Sequence, residues 1–76
     1  MNESIFKAKM LHTQLMMDMR DRADYWLGFR RGLRRAFYGE AFGTDEDHQL
    51  WLSLAARDDR EIAERGIGYL DGLGAS

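Results

Sequence analysis

Leu27-Gly28-Phe29-Arg30-Arg31-Gly32-Leu33 returns forty residues later as Ile67-Gly68-Tyr69-Leu70-Asp71-Gly72-Leu73. Both stretches read apolar, Gly, aromatic, two variable positions, Gly, Leu. Glycines four apart lie on one side of a helix. Each interior glycine costs about 0.5–1 kcal/mol relative to alanine, so four of them require a packing reason. Close approach of two helix backbones supplies one. The echo predicts that the second and last helices cross tightly through Gly28, Gly32 and Ala36 on one side and Gly68 and Gly72 on the other, with Phe29 and Tyr69 flanking. The rival reading is that these glycines leave room for a ligand or a partner backbone.

Around these stretches the composition leaves little but helix. The 76 residues include no Pro, no Cys and no Val, and the β-branched residues are Ile5, Thr13, Thr44, Ile62 and Ile67. The usual strand formers are nearly absent. A chain this short builds one modest core. Lack of cysteine removes disulfides and thiolate metal sites, and no apolar run approaches a membrane span or a signal-peptide core. The expected fold class is all-α: a compact bundle of about four helices, or three with a long first one. Such a soluble domain is expected to be made and kept in the cytoplasm.

Capping residues and glycines set the boundaries. Ser4 or Asn2 can cap a first helix running to about Met19 or Arg20, and Asp21 or Asp24 can open a second that reaches Tyr38 and stops at Gly39. Nothing between residues 17 and 24 forbids helix, so one helix from 4 to 38 is the alternative. Thr44 can cap a third helix with Asp45, Glu46 and Asp47 in its first turn, where the macrodipole favours acids. Asp58 with Glu61 repeats the capping-box spacing and starts a fourth helix towards Leu73, after which Gly72, Gly74 and Ser76 let the chain fray. Residues 1–20 read as an N-terminal extension and 21–76 as the domain.

The net charge of −2 conceals an asymmetry. Residues 20–35 carry six arginines against Asp21 and Asp24, whereas residues 36–76 carry three arginines against nine acids. At 100° per residue, the second helix places Tyr25, Trp26, Phe29, Leu33, Ala36 and Phe37 on one arc and Arg30, Arg31, Arg34 and Arg35 on the other. Four guanidiniums on one face can track phosphates or grip carboxylates, or they can pair with the acids that follow. The first of these gives a nucleic-acid reading, set against a domain that is acidic overall.

Two helices carry more apolar surface than one small core absorbs. In the third, Trp51 and Leu52 point about 100° apart, so one neighbour cannot cover both, and a Trp or Leu framed by acids can anchor a partner. In the first, Ile5, Ala8, Leu11, Leu15, Met16 and Met19 form one face and Phe6, Met10 and Met17 a second, nearly opposite. Four methionines within residues 10–19 make this surface adaptable. The expectation is that the Phe6, Met10 and Met17 stripe supports self-association as a homodimer.

Catalytic chemistry is thin. His48 with Asp45 offers two ligands, but a metal site needs a third and its supporting shell. Asp58, Asp59, Glu61 and Glu64 lack the glycine and spacing of a calcium loop. No nucleophile elbow or phosphate cradle is present. The expectation is no enzymatic activity, no cofactor, no metal and no membrane contact.

Asp24-Tyr-Trp-Leu-Gly-Phe-Arg-Arg-Gly-Leu-Arg-Arg35, Phe42-Gly-Thr44, the acidic helix with Leu50-Trp51-Leu52 and the closing Gly68-Tyr-Leu-Asp-Gly-Leu73 together resemble short uncharacterised helical proteins encoded on bacterial phages, plasmids and integrative elements. The likeness covers residues 24–73. Such proteins carry no agreed catalytic motif and are similar in size and character to anti-CRISPR proteins. The resemblance implies a non-enzymatic inhibitor or accessory factor of a mobile element in the bacterial cytoplasm, docking on a protein target such as a host CRISPR-Cas effector or nuclease. Asp45, Glu46, Asp47, Asp58, Asp59, Glu61 and Glu64 would occupy a basic groove of that target as a nucleic-acid mimic, with Trp51 or Leu52 as anchor. The alternative is a small DNA- or RNA-binding protein using the Arg30–Arg35 face.

Overall fold

The computed structural model describes residues 1–75. Among them the chain forms helices α1 (Glu3–Asp18), α2 (Ala23–Tyr38), α3 (Asp45–Leu54) and α4 (Arg60–Gly74), with a 3-10 turn at Gly39–Ala41 and no strand. The fold is the expected all-α bundle of four helices. Ser76, at the end expected to fray, lies outside the described residues.

The sequence separates α1 from α2 without Pro or Gly. Arg20 (φ 57°) and Arg22 (φ 54°) both take the left-handed conformation, which costs an L-residue about 1–2 kcal/mol. A continuous helix from 4 to 38 would avoid that cost, but it would leave the inner faces of both segments in water. Folding back buries Phe6, whose ring stacks on Phe37 at 4.2 Å, and Thr13, whose hydroxyl donates to the Met10 carbonyl at 2.7 Å. The long-helix alternative fails for this reason. The N-cap of α2 is Arg22 and not Asp21 or Asp24.

The other boundaries follow ordinary capping chemistry. The Asn2 side chain accepts from Ile5 N–H at 2.9 Å. Gly39, at φ 64°, ends α2. Thr44 and Asp47 form a capping box on α3. Asp59, one residue later than expected, caps α4 by accepting from Ile62 N–H at 3.0 Å.

Helices α2 and α4 share the largest interface. A Cβ built on Gly28 would stand 1.9 Å from the Arg65 carbonyl oxygen, and one on Gly68 1.9 Å from that of Tyr25. Gly32 and Gly72 meet the Tyr69 and Phe29 carbonyls in the same way, each at 2.2 Å. Each glycine therefore faces the carbonyl three residues before its counterpart glycine. The echo of forty residues is a pseudo-two-fold relation between parallel helices, with glycine Cα–H groups against carbonyl oxygens. Gly66 plays the same part for α3, where its Cβ would stand 2.1 Å from Ala55 N. The sequence reading had not singled it out.

The Cα trace extends over 36 × 31 × 16 Å, the short dimension being that of two packed helices. So thin a slab encloses few residues: Phe6, Leu33 and Tyr69 are its buried hydrophobics. Residues 1–20 are tied into it by the Phe6 contact and by Lys9, whose ammonium donates to the Ala75 carbonyl at 2.9 Å.

Candidate functional site

The fold divides the arginine row of α2. Arg35 lies at the edge of the row nearest the glycine face, where the turn and α3 close over it. Its side chain is 11% exposed and donates to the Phe42 carbonyl at 3.2 Å and to Asp45 at 3.4 Å. Arg35 is thereby a structural cation. Arg30, Arg31 and Arg34 turn the other way and, with Leu27, wall a groove of about 260 Å³ completed by Met17 of α1, Trp51 of α3 and Arg65 of α4. All four helices contribute to it.

Aromatic rings position two of these guanidiniums. Arg31 lies 4.9 Å from the Trp51 centroid and 5.3 Å from that of Phe42, and Arg34 lies 5.9 Å from Phe42. Such contacts orient a cation without spending its donors on a carboxylate. Arg30 donates to the Gln14 side-chain oxygen at 3.0 Å, and Arg65 donates through Nε to Asp24 at 2.8 Å. Among the described residues no carboxylate lines the groove. Among the described residues Arg30, Arg31 and Arg34 form no ion pair. Burial, and after it the Arg34 charge, push the Arg30 guanidinium below its ordinary pKa, although arginine stays protonated in any such setting. The groove is thus a site of uncompensated positive charge with an apolar wall.

A second hollow, about 360 Å³, lies where α2 and α4 begin and is lined by Arg22, Asp24, Tyr25, Arg60, Glu61 and Glu64 among others. Its charges answer one another: Arg22 donates to Glu64 at 3.0 and 3.2 Å and lies 4.1 Å from the Tyr25 ring centroid. Arg65, outside the hollow, takes up Asp24, which leaves Arg60 and Glu61 as the lining charges without an ion pair among the described residues.

The acids expected to mimic nucleic acid differ in their partners. Asp47 and Asp59 are spent on capping, Asp45 faces Arg35 and Glu64 faces Arg22. Glu46, Asp58 and Glu61 are exposed and form no ion pair among the described residues. Trp51 is half-buried between Arg31 and the Tyr69 ring, 5.6 Å away, and Leu52 is half-buried as well. The large exposed hydrophobic of α3 is Leu50, at 56%.

The two faces of α1 are exchanged relative to the sequence reading. Phe6 is buried and Met10 and Met17 are half-buried, whereas Ile5, Leu11, Leu15 and Met19 face solvent. The Phe6, Met10 and Met17 stripe packs inward because the Phe6 ring has Phe37 and Tyr38 to meet, the latter edge-on at 5.5 Å. His48, considered with Asp45 for a metal, has Nδ1 2.6 Å from the Tyr69 hydroxyl. Among the described residues no three His, Asp or Glu are grouped to hold a metal, and no helix is long and apolar enough to cross a membrane.

Leu27 and Arg65 belong to the groove without having been read as site residues, and Met17, expected in a self-association stripe, lines it instead. Arg65 was findable in principle, since the forty-residue offset pairs it with Tyr25 at the entry to the glycine seam. Comparison with known proteins adds nothing here: no family model, curated protein or solved structure matches the chain.

Proposed function

We propose that this chain is a non-enzymatic docking protein whose Arg30–Arg31–Arg34 groove seats an acidic segment of a larger protein. The supporting observation is the set of three guanidiniums, held beside Trp51, Phe42 and Leu27, that form no ion pair among the described residues. Desolvated arginines beside aromatic rings are the commonest energetic anchors of protein interfaces, and a carboxylate pair engages the guanidinium fork bidentately. In the setting implied by the resemblance to mobile-element proteins, the target is a host CRISPR-Cas effector or nuclease in the bacterial cytoplasm, blocked sterically.

A nucleic-acid partner is the second reading, because the same unpaired guanidiniums could contact phosphates. Two features weigh against it. The net charge is −2 and the sequence pI about 5.6, where a strongly basic domain is the usual footprint. Trp51 has Arg31 over its ring and Tyr69 beside it, so it is not free to stack on a base.

Fluorescence anisotropy with a labelled oligoglutamate peptide containing one Leu or Trp, run beside single-stranded and duplex DNA over a salt series, separates the readings. Peptide binding that weakens at least tenfold in Arg31→Glu with Arg34→Glu is the expected result. Tight DNA binding that collapses with salt would transfer the groove to the second reading. Binding of neither at low salt would remove both.

A further inference from the structure

Helix α1 has an apolar stripe that the rest of the described chain leaves largely open, although the His12 ring at its centre meets Trp26 edge-on at 5.5 Å. Ile5, Leu11, Leu15 and Met19 are 47%, 62%, 53% and 70% exposed, and Ala8 is exposed between them. Ile5, Ala8, His12, Leu15 and Met19 follow the alternating spacings of three and four of a heptad seam, with Leu11 beside it. At 100° per residue this seam lies within an arc of about 120°. No charged side chain falls inside that arc, and the inward residues Phe6, Met10, Thr13 and Met17 lie on the opposite side.

We propose that this seam is the interface of a homodimer in which two copies of α1 lie antiparallel about a two-fold axis near His12. Self-complementarity points to a second copy. An isologous contact pairs residue i with j and j with i. Centring on His12 sets Ile5 against Met19 of the other copy and the small Ala8 against Leu15 and Met16, so bulk meets space along the seam. The charges bordering one edge agree with this direction. Lys7, which also pairs with Glu3 at 3.1 Å, and Asp18 lie near opposite ends of one edge of α1 and face each other across an antiparallel two-fold pair, in which each edge meets itself; in a parallel two-fold pair each edge meets the opposite one and the two charges do not meet. Antiparallel helix dipoles are also attractive.

The stripe runs along a helix of 16 residues and offers on the order of 500 Å² per copy, at the small end of specific interfaces. The dimer is therefore a weak one, populated at high concentration. The groove uses Met17, on the inward side of α1, so a dimer leaves both grooves open. Two acidic segments on one target would then be bound with the gain of bivalency.

Sedimentation equilibrium from 1 μM to 1 mM tests the proposal. Expected is a rise from monomer to dimer mass that Leu15→Lys shifts at least tenfold to higher concentration with the helical circular dichroism unchanged. Asp18→Lys alone weakens association several-fold, and Lys7→Glu combined with Asp18→Lys restores it. Because the natural chain has no cysteine, single cysteines give a second measurement that does not depend on Leu15. His12→Cys should form a disulfide dimer under mild oxidation, and Ile5→Cys should link to Met19→Cys in a mixture but not to itself. A monomer at 1 mM, a dimer indifferent to Leu15→Lys, or efficient self-linking of Ile5→Cys would each overturn it.

Discussion

Where α2 meets α4, glycines bring the carbonyl oxygens of one helix to the place a Cβ of the other would occupy, at 1.9–2.2 Å. Where α2 meets α1, rings make the contact, Phe6 lying flat on Phe37 at 4.2 Å. A backbone contact has no rotamer with which to give way, whereas a ring contact can repack. One seam is thus intolerant of any added atom, and the other is set by how much bulk is present. The same difference explains which seam was legible: missing side chains at fixed spacing are visible in a sequence, and the choice between two bulky stripes is not.

Gly28→Ala or Gly68→Ala is the sharpest way to break the comparison. Each methyl would overlap a carbonyl oxygen, so the helices must separate along the whole seam, and the loss is expected at about 3 kcal/mol or more, at or above the upper range for overpacking. For a domain of this size that is a large share of the total stability. Urea denaturation measures it. Gly74→Ala is the control, since nothing lies within 4 Å of its Cβ position, and it should gain a few tenths of a kcal/mol from helix propensity. A loss below 1 kcal/mol for both seam variants would show that the approach is less close than described.

Phe6→Ala tests the other side, with an expected loss of about 3 kcal/mol, the low end for a phenylalanine truncation because α1 is covered on one face only. The loss should be uneven. Amide hydrogen exchange should quicken through α1 while the protected amides of α2 and α4 keep their rates. Equal acceleration in all three helices would mean that the two seams act as one cooperative unit.

How far the sequence carried each seam can be argued from the same residues. Gly28, Gly32, Gly68 and Gly72 announced the parallel pair because a helix tolerates four interior glycines only for close approach. In α1, both stripes had helical period and comparable hydropathy. What decided between them was the flat stack of Phe6 on Phe37 and the small Thr13 that allows contact, neither of which is a property of α1 alone. The arginine row failed to divide for a similar reason: Arg35 differs from Arg31 only in what folds over it, the Phe42 carbonyl and Asp45. Asp58, with Glu61 three residues on, has the capping-box spacing in sequence, but the helix uses Asp59, whose side chain accepts from Ile62 N–H.

Tyr69→Phe asks whether α3 is held by backbone approach or by side-chain chemistry. The Tyr69 hydroxyl lies 2.6 Å from His48 Nδ1, with the ring almost fully enclosed. Removing the hydroxyl leaves His48 without that partner while keeping the ring, so a loss of about 1 kcal/mol is expected in urea denaturation. No change would assign the α3 contact to Gly66 against Ala55 instead.

The smallest effect separates the seams by pH. The Tyr25 hydroxyl donates to Asp71 at 2.6 Å, tying the first turn of α2 to α4. Burial first, and then the hydrogen bond to Asp71, push its pKa from 10.0 up to about 12. A phenol is neutral when protonated, so a raised value means that the folded state holds the proton more tightly than the unfolded chain does. The resulting stabilisation is complete below pH 10 and is lost as pH rises towards 12. Thermal melts between pH 9 and 12 should therefore fall more steeply for the natural protein than for Tyr25→Phe. Burial also raises Tyr69, so a residual slope should survive in the variant. Because Tyr25 lends its carbonyl to Gly68 as well as its hydroxyl to Asp71, alkaline loosening should begin in the α2–α4 seam. Exchange that quickened first in α1 would place the pH-sensitive contact on the ring seam and reverse the assignment.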